Sequence, residues 1–150
     1  MTWLTLFEKC DSWLYSTAIE LRNFQTGATC IIHTASPNAL TSIQSLLYKV
    51  NVDGTKTVID AAVALGVRKL VYTSSSSVVF SGGDLQNVDE RLPYPQVSFD
   101  AYSGSKAKAE KIVLEANGKN GLLTVALRPA GIFGYVESMS MPIIKSLTFP

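Results

Sequence analysis

From Ala28 onward, short apolar runs alternate with longer stretches of helical period. Ala28–His33 is an apolar run with β-branched residues that ends in Thr-Ala-Ser-Pro, which predicts a buried strand and its exit loop. From about Ser42 to Leu65, Ile43, Leu46, Leu47 and Val50 share one helical face, and Val58, Ile59, Ala62 and Val63 continue it. Gly66 sits where a helix of that length stops. Val67–Tyr72 is a second strand pattern, closed by Thr73 and the serines Ser74–Ser77. Ser81–Pro95, with Gly82, Gly83, Asp89, Pro93 and Pro95, predicts a loop. A helix is expected from about Phe99 to Ala116, stopping near Gly118, and then a third strand over Leu122–Leu127. Residues 1–27 carry Trp3, Leu4, Leu6, Phe7, Trp13 and Leu14 without a sustained period, and suggest at most a weak helix around Leu14–Asn23.

Near-continuous apolar strands separated by helices define an α/β protein with a parallel sheet. Ligands of such sheets bind beyond the carboxyl ends of the strands. Here those ends are His33–Ser36, Thr73–Ser77 and Arg128–Gly131, and they should line one crevice.

Composition narrows the class. The 150 residues are 47% hydrophobic, enough for one domain with a core. Lys and Arg total 13 against 12 Asp and Glu, a net charge of +1, so charge makes no case for nucleic acid or an anionic membrane. Met1–Phe7 is too short and too soon followed by charge to act as a signal peptide, and no run reaches membrane-spanning length. Cys10 and Cys30 have no metal-site spacing, which predicts free thiols in a reducing compartment and no bound metal.

Chemistry centres on Tyr102 and Lys106. Their i, i+4 spacing at the start of a helix places both on one face. A nearby ammonium favours phenolate, and a tyrosine so tuned can exchange a proton with a substrate hydroxyl or carbonyl. Lysine also has donors to spare for a ribose hydroxyl. Ser103, Gly104 and Ser105 between them permit close approach of a ligand or a packed helix. Alternation along an extended strand puts Thr73, Ser75 and Ser77 on one side, so Ser75 or Ser77 is expected to face the crevice. His33 is the only histidine, lacks a second ligand, and is expected to be a strand-end residue rather than a catalyst. Asp89 and Glu90 fit a solvated loop better than a carboxylate pair.

Six ordered pieces carry a resemblance. They are His33-Thr-Ala-Ser-Pro37, Asn51-Val-Asp-Gly-Thr55 with Val58–Ala62, Leu70-Val-Tyr-Thr-Ser-Ser75, Asp89-Glu90 with Pro93, Tyr102-Ser-Gly-Ser-Lys106, and Leu127-Arg-Pro-Ala-Gly-Ile-Phe-Gly134. In that order they resemble an extended short-chain dehydrogenase/reductase. More closely, the chain is similar to the 3β-hydroxysteroid dehydrogenase/isomerase family and its decarboxylating sterol-4α-carboxylate branch. The resemblance implies a Rossmann-like doubly wound sheet and an NAD- or NADP-dependent oxidoreductase acting on the 3β-hydroxyl of a sterol.

It also implies roles. Tyr102 is the acid/base, Lys106 its partner and a ribose ligand, and Ser75 the serine that holds the reacting oxygen. Thr34, Ala35 and Ser36 lie along the dinucleotide, and Pro129, Ala130 and Ile132 near the nicotinamide. Asn51 is left between cofactor contact and helix packing. The family further implies a homodimer and a cytoplasmic or endoplasmic-reticulum-associated protein. A sugar-nucleotide epimerase-like or dihydroflavonol reductase-like enzyme, or an inactive remnant, is the competing reading.

The motifs span residues 28–134. Residues 1–27 are expected to be a divergent segment and 135–150 an unmatched tail, so that the first βαβ unit and the substrate domain are missing. No Gly-rich phosphate-binding turn occurs in the 150 residues. Weak cofactor binding and an exposed apolar edge along Ala28–His33 are the expected consequences.

Overall fold

The computed structural model describes the backbone of Trp3–Leu6 and residues 28–132. The suggested helix around Leu14–Asn23, Cys10 and the 135–150 tail lie outside the described residues.

Four parallel strands form one sheet in the order β1-β2-β3-β4: Trp3–Leu6, Cys30–His33, Lys69–Thr73 and Leu123–Leu127. The last three are the strands predicted from the apolar runs. β1 is not legible in the sequence. It pairs in parallel with β2, Trp3 opposite Cys30 and Leu6 opposite His33. It therefore lies along the β2 edge that was expected to be exposed. A four-residue Trp-Leu-Thr-Leu segment has too little pattern to read as a strand; pairing with β2 selects it.

The long helical pattern is one continuous helix with an irregular middle. α1 (Gln44–Tyr48) runs into a π-turn over Lys49–Gly54 and on into α2 (Thr55–Ala64). The backbone stays right-handed helical at every junction. Gly66, at φ +68°, takes the left-handed conformation that ends it. α3 (Ala101–Ala116) starts at Asp100, whose carboxylate accepts a hydrogen bond from the Ser103 N–H at 2.7 Å.

In-register neighbours show which face is covered. Ile31, Leu70 and Thr124 lie side by side, as do His33, Tyr72 and Ala126. These point toward the helices, and Ile31, Leu70 and Tyr72 join Val58, Ala62, Ala109, Val113 and Leu122 in the core. Right-handed crossovers between strands added in one direction fall on a common face, so α2 and α3 share that face. On the other, Leu123, Val125 and Leu127 are exposed.

Ser81–Asp100 contains no helix or strand; the loop expected over Ser81–Pro95 runs on to the start of α3. Its Asp89 is paired with Arg91, the shorter guanidinium contact 2.6 Å, and both are solvated. The solvated-loop reading of Asp89 and Glu90 fits this placement.

Candidate active site

The three strand ends converge as the parallel sheet requires. Beyond β3 the chain stays zipped to β4: the Ser74 N–H donates to the Leu127 carbonyl at 2.7 Å and the Ser76 N–H to the Pro129 carbonyl at 3.0 Å. That ladder sets the serine run beside Pro129. Ser75 is extended and caps a short 3₁₀ turn over Ser76–Val79. Its hydroxyl accepts from the Ser77 N–H at 3.2 Å and lies 2.9 Å from the Ser77 hydroxyl.

Tyr102 is half-buried on the first turn of α3. Burial raises its pKa above the usual phenol value, and Asp100 adds to the rise. The hydroxyls of Ser75 and Ser36, beside the phenol, pull in the opposite direction. Three of the residues proposed from the sequence, from three elements, thus meet at one phenol. Lys106 follows four residues later on α3. Its ammonium is buried, donates to the Thr73 carbonyl at 2.6 Å and sits 4.5 Å from the centre of the Tyr72 ring. Burial lowers its pKa to about 8, with Glu110 opposing.

Thr34, Ala35 and Ser36 are half-buried at the end of β2, Pro129 is half-buried, and Ala130 and Ile132 are exposed. Gly104 faces Ser98 and Tyr48; a Cβ there would come within 3.2 Å of the Ser98 hydroxyl. The small residues of α3 thus serve close packing at this point.

A buried chain of polar side chains supports the site from beneath. Asn51, inside the π-turn, donates from Nδ2 to the Ser105 hydroxyl at 2.8 Å. The Ser105 hydroxyl in turn donates to the Tyr102 carbonyl at 2.8 Å. Thr55 donates its hydroxyl hydrogen to the Asn51 carbonyl at 2.5 Å. Helix packing is therefore the contact Asn51 makes here. Having spent that hydrogen, the Thr55 oxygen can only accept from His33 Nε2, 3.0 Å away. This assigns the Nε2–H tautomer to His33 and leaves Nδ1 a buried acceptor without a partner.

His33 is neutral because burial, and then the Lys106 charge, lower its pKa to about 4. Between pH 6.5 and about 4 the unfolded chain binds a proton that the folded chain refuses. Stability from this group is complete above pH 6.5 and is lost as pH falls toward 4, by about 3 kcal/mol in all. Urea titrations across that window should show the loss, and His33→Gln should flatten the curve. An unchanged slope in the variant would refute the assignment.

Residues that sequence reasoning missed lie one turn further along α3. Glu110, 1% exposed, accepts from the Tyr94 hydroxyl at 2.7 Å and from Arg128 Nε and Nη2 at 3.0 and 2.7 Å. Burial pushes its carboxyl up, but Arg128, Ser74 and Tyr94 together hold it below the usual carboxylate range. Ser74 Oγ and Glu110 Oε2 are close, yet neither makes a well-formed hydrogen bond. The available signal was Glu110 at i+4 from Lys106, a lone acid among Ala107, Ala109 and Val113. Its partner lies 18 residues away and could not be named.

Among the described residues there is no group of His, Cys, Asp and Glu that could hold a metal, and Cys30 is a buried free thiol. The donor set suits a nicotinamide ribose: Lys106 spends one N–H on Thr73, and the hydroxyls of Ser36 and Ser75 act on the Tyr102 phenol.

The parallel sheet, with its polar strand ends over a Tyr-x-x-x-Lys helix, is a Rossmann-type fold of the short-chain dehydrogenase/reductase kind. The chain belongs to the 3-beta hydroxysteroid dehydrogenase/isomerase family, whose model matches residues 11–148. It is 51% identical over 117 residues to the decarboxylating sterol-4-alpha-carboxylate 3-dehydrogenase of Schizosaccharomyces pombe, covering 78% of this chain and 34% of that one. It is 48% identical over 124 residues to 3beta-hydroxysteroid-dehydrogenase/decarboxylase isoform 1 of Arabidopsis thaliana, covering 81% and 28%. The chain thus spans about a third of the length of these curated relatives. Among solved structures, it resembles an NAD-bound dTDP-glucose 4,6-dehydratase from Streptomyces venezuelae, with TM-score 0.66, 27% identity, and 74% of this chain and 34% of that one covered. It also resembles an NAD-bound short-chain dehydrogenase/reductase superfamily protein from Agrobacterium tumefaciens, with TM-score 0.65, 25% identity, and 77% and 36% covered.

Proposed function

We propose that this chain is the proton-transfer part of a nicotinamide-dependent sterol dehydrogenase that oxidises a 3β-hydroxyl next to a 4α-carboxylate. The observation that carries the reading is the meeting of Ser75, Ser36 and Tyr102 one helical turn from a buried Lys106. The sterol names of the relatives supply the substrate class.

In this reading Ser75 holds the substrate oxygen and Tyr102, reacting as the phenolate, takes its proton. Lys106, its charge desolvated under the site, offers its spare N–H groups to ribose hydroxyls. Thr34, Ala35 and Ser36 flank the dinucleotide, with Pro129, Ala130 and Ile132 beyond it. A bound nicotinamide dinucleotide, NAD or NADP, supplies the hydride acceptor. The substrate C3–H leaves as hydride and the hydroxyl proton goes to Tyr102, leaving a 3-ketone. That ketone is β to the carboxylate, so the C4–carboxyl bond can break, its electron pair passing into the enolate as CO₂ leaves. The intact protein would work as a homodimer. With an apolar sterol as substrate the protein would work at an endoplasmic-reticulum surface rather than free in the cytoplasm; no helix among the described residues is long and apolar enough to cross a membrane.

The test is two measurements on the protein. The first incubates it with NAD or NADP and a 4α-carboxy-3β-hydroxysterol, following reduced nicotinamide and released CO₂. Formation of both supports the reading; a sugar nucleotide turned over in place of the sterol overturns it. The second titrates the 150-residue chain with NADH and NADPH by nicotinamide fluorescence. Without a Gly-rich turn in the sequence, saturation is expected only well above micromolar cofactor. Tight binding would refute the assigned importance of that turn.

A further inference from the structure

We infer that Glu110 is a positioning residue for the proton-transfer pair: held by Arg128 and Tyr94, it supplies the buried counter-charge that keeps Lys106 an ammonium and fastens the catalytic helix to the rim of the crevice. The inference rests on the dehydrogenase reading for its functional meaning, and its geometry stands independently of that reading.

Lys106 and Glu110 are both almost fully buried on one face of α3, four residues apart. Charge in such a place needs compensation close by. The groups facing Lys106 from other elements do not supply it. Tyr72 of β3 offers a ring and a phenol that burial keeps protonated. His33 of β2 is neutral, and the Thr73 carbonyl carries only a dipole. On α3 itself, Tyr102 is a phenol with a raised pKa. Glu110 is the one anion among the groups acting on Lys106.

Glu110 is in turn tied to two parts of the rim. Arg128 leads directly into Pro129, at the end of β4, and its guanidinium also donates to the Glu90 carbonyl at 3.3 Å. Tyr94 belongs to the loop between β3 and α3, packs with Leu92 against Val78, Val79 and Ala107, and lies under Arg128 and Lys111. One carboxylate thus joins the catalytic helix, the end of β4 and the loop between β3 and α3. Arg128 alone would serve a structural purpose. The location of Glu110, one turn below Lys106, gives the cluster its bearing on proton transfer.

The test reads Lys106 directly. Lysine labelled with ¹³C at Cε is followed by NMR through a pH titration of the full chain, with Lys106→Arg used to assign its signal. In the native protein Lys106 should titrate near 8. In Glu110→Gln, which keeps the shape and the hydrogen-bonding oxygen, the midpoint should fall by about one pH unit or more. Tyr94→Phe, which removes a hydrogen bond but no charge, should leave it in place. An unmoved midpoint in Glu110→Gln overturns the inference, as does an equal shift in both variants. If Glu110→Gln does not fold, the native titration decides: a Lys106 already neutral at pH 7 sinks the proposal. In an active preparation the alkaline limb of kcat/KM should move down with the same variant. Absence of nicotinamide-dependent turnover, with the lysine shift intact, would instead count against the dehydrogenase reading.

Discussion

Tyr102→Phe is expected to reduce turnover of a 3β-hydroxysterol by about 10²–10⁴-fold while leaving cofactor binding largely intact. The change removes one oxygen from a half-buried ring and leaves the helix untouched. The N-cap at Asp100 uses the Ser103 N–H, and the buried chain from Asn51 through Ser105 ends on the Tyr102 carbonyl; neither uses the phenol. Packing should therefore survive, and the loss should appear in kcat rather than in KM for the dinucleotide. Ser75 would remain to hold the substrate oxygen, which is why some residual rate is expected. Steady-state kinetics on the purified variant, with circular dichroism as the control for folding, decide the matter. Near-normal turnover would remove Tyr102 from the acid/base role.

The second large effect concerns stability. Arg128→Ala should cost about 3 kcal/mol or more, because it leaves a carboxylate at 1% exposure with Tyr94 as its only remaining well-formed partner. The native pair itself adds less than that figure suggests, since both charges gave up water to form it. The sharper comparison is a double variant. Arg128→Met with Glu110→Leu removes both charges and should unfold at higher urea than Arg128→Ala alone. If the single and double variants are equally unstable, lost packing rather than an orphaned charge is the cause. The acid dependence has a definite sign. The folded-state pKa of Glu110 is held below its ordinary value, so its stabilisation is present above that value and disappears as pH falls through the lowered one. It adds to the His33 loss in the acid direction.

The sequence by itself determined the elements whose pattern is local. β2, β3, β4 and α3 each carry a period readable within a dozen residues, and Gly66 and Gly118 mark stops where the backbone has positive φ. Spacing put Tyr102 and Lys106 on one helical face, and the parallel topology brought the strand ends His33–Ser36, Thr73–Ser77 and Arg128–Gly131 to one edge. The motif order was enough to recognise the family. Tertiary structure decided what depends on partners distant along the chain. β1 exists because β2 offers an edge to pair with, and four residues of its own sequence carry no comparable signal. The π-turn at Lys49–Gly54 interrupts a helical period that looked continuous, and it sets Asn51 against Ser105, 54 residues away. The His33 tautomer follows from a hydrogen that Thr55 has already given to Asn51. The direction of Lys106, toward the Thr73 carbonyl rather than the Tyr102 phenol, and its counter-charge at Glu110 became visible only once α3 lay on β3 and β4. Periodicity reports which face of an element is buried. The pairing of charges inside that buried face depends on which elements are stacked there, and the local pattern contains no record of it.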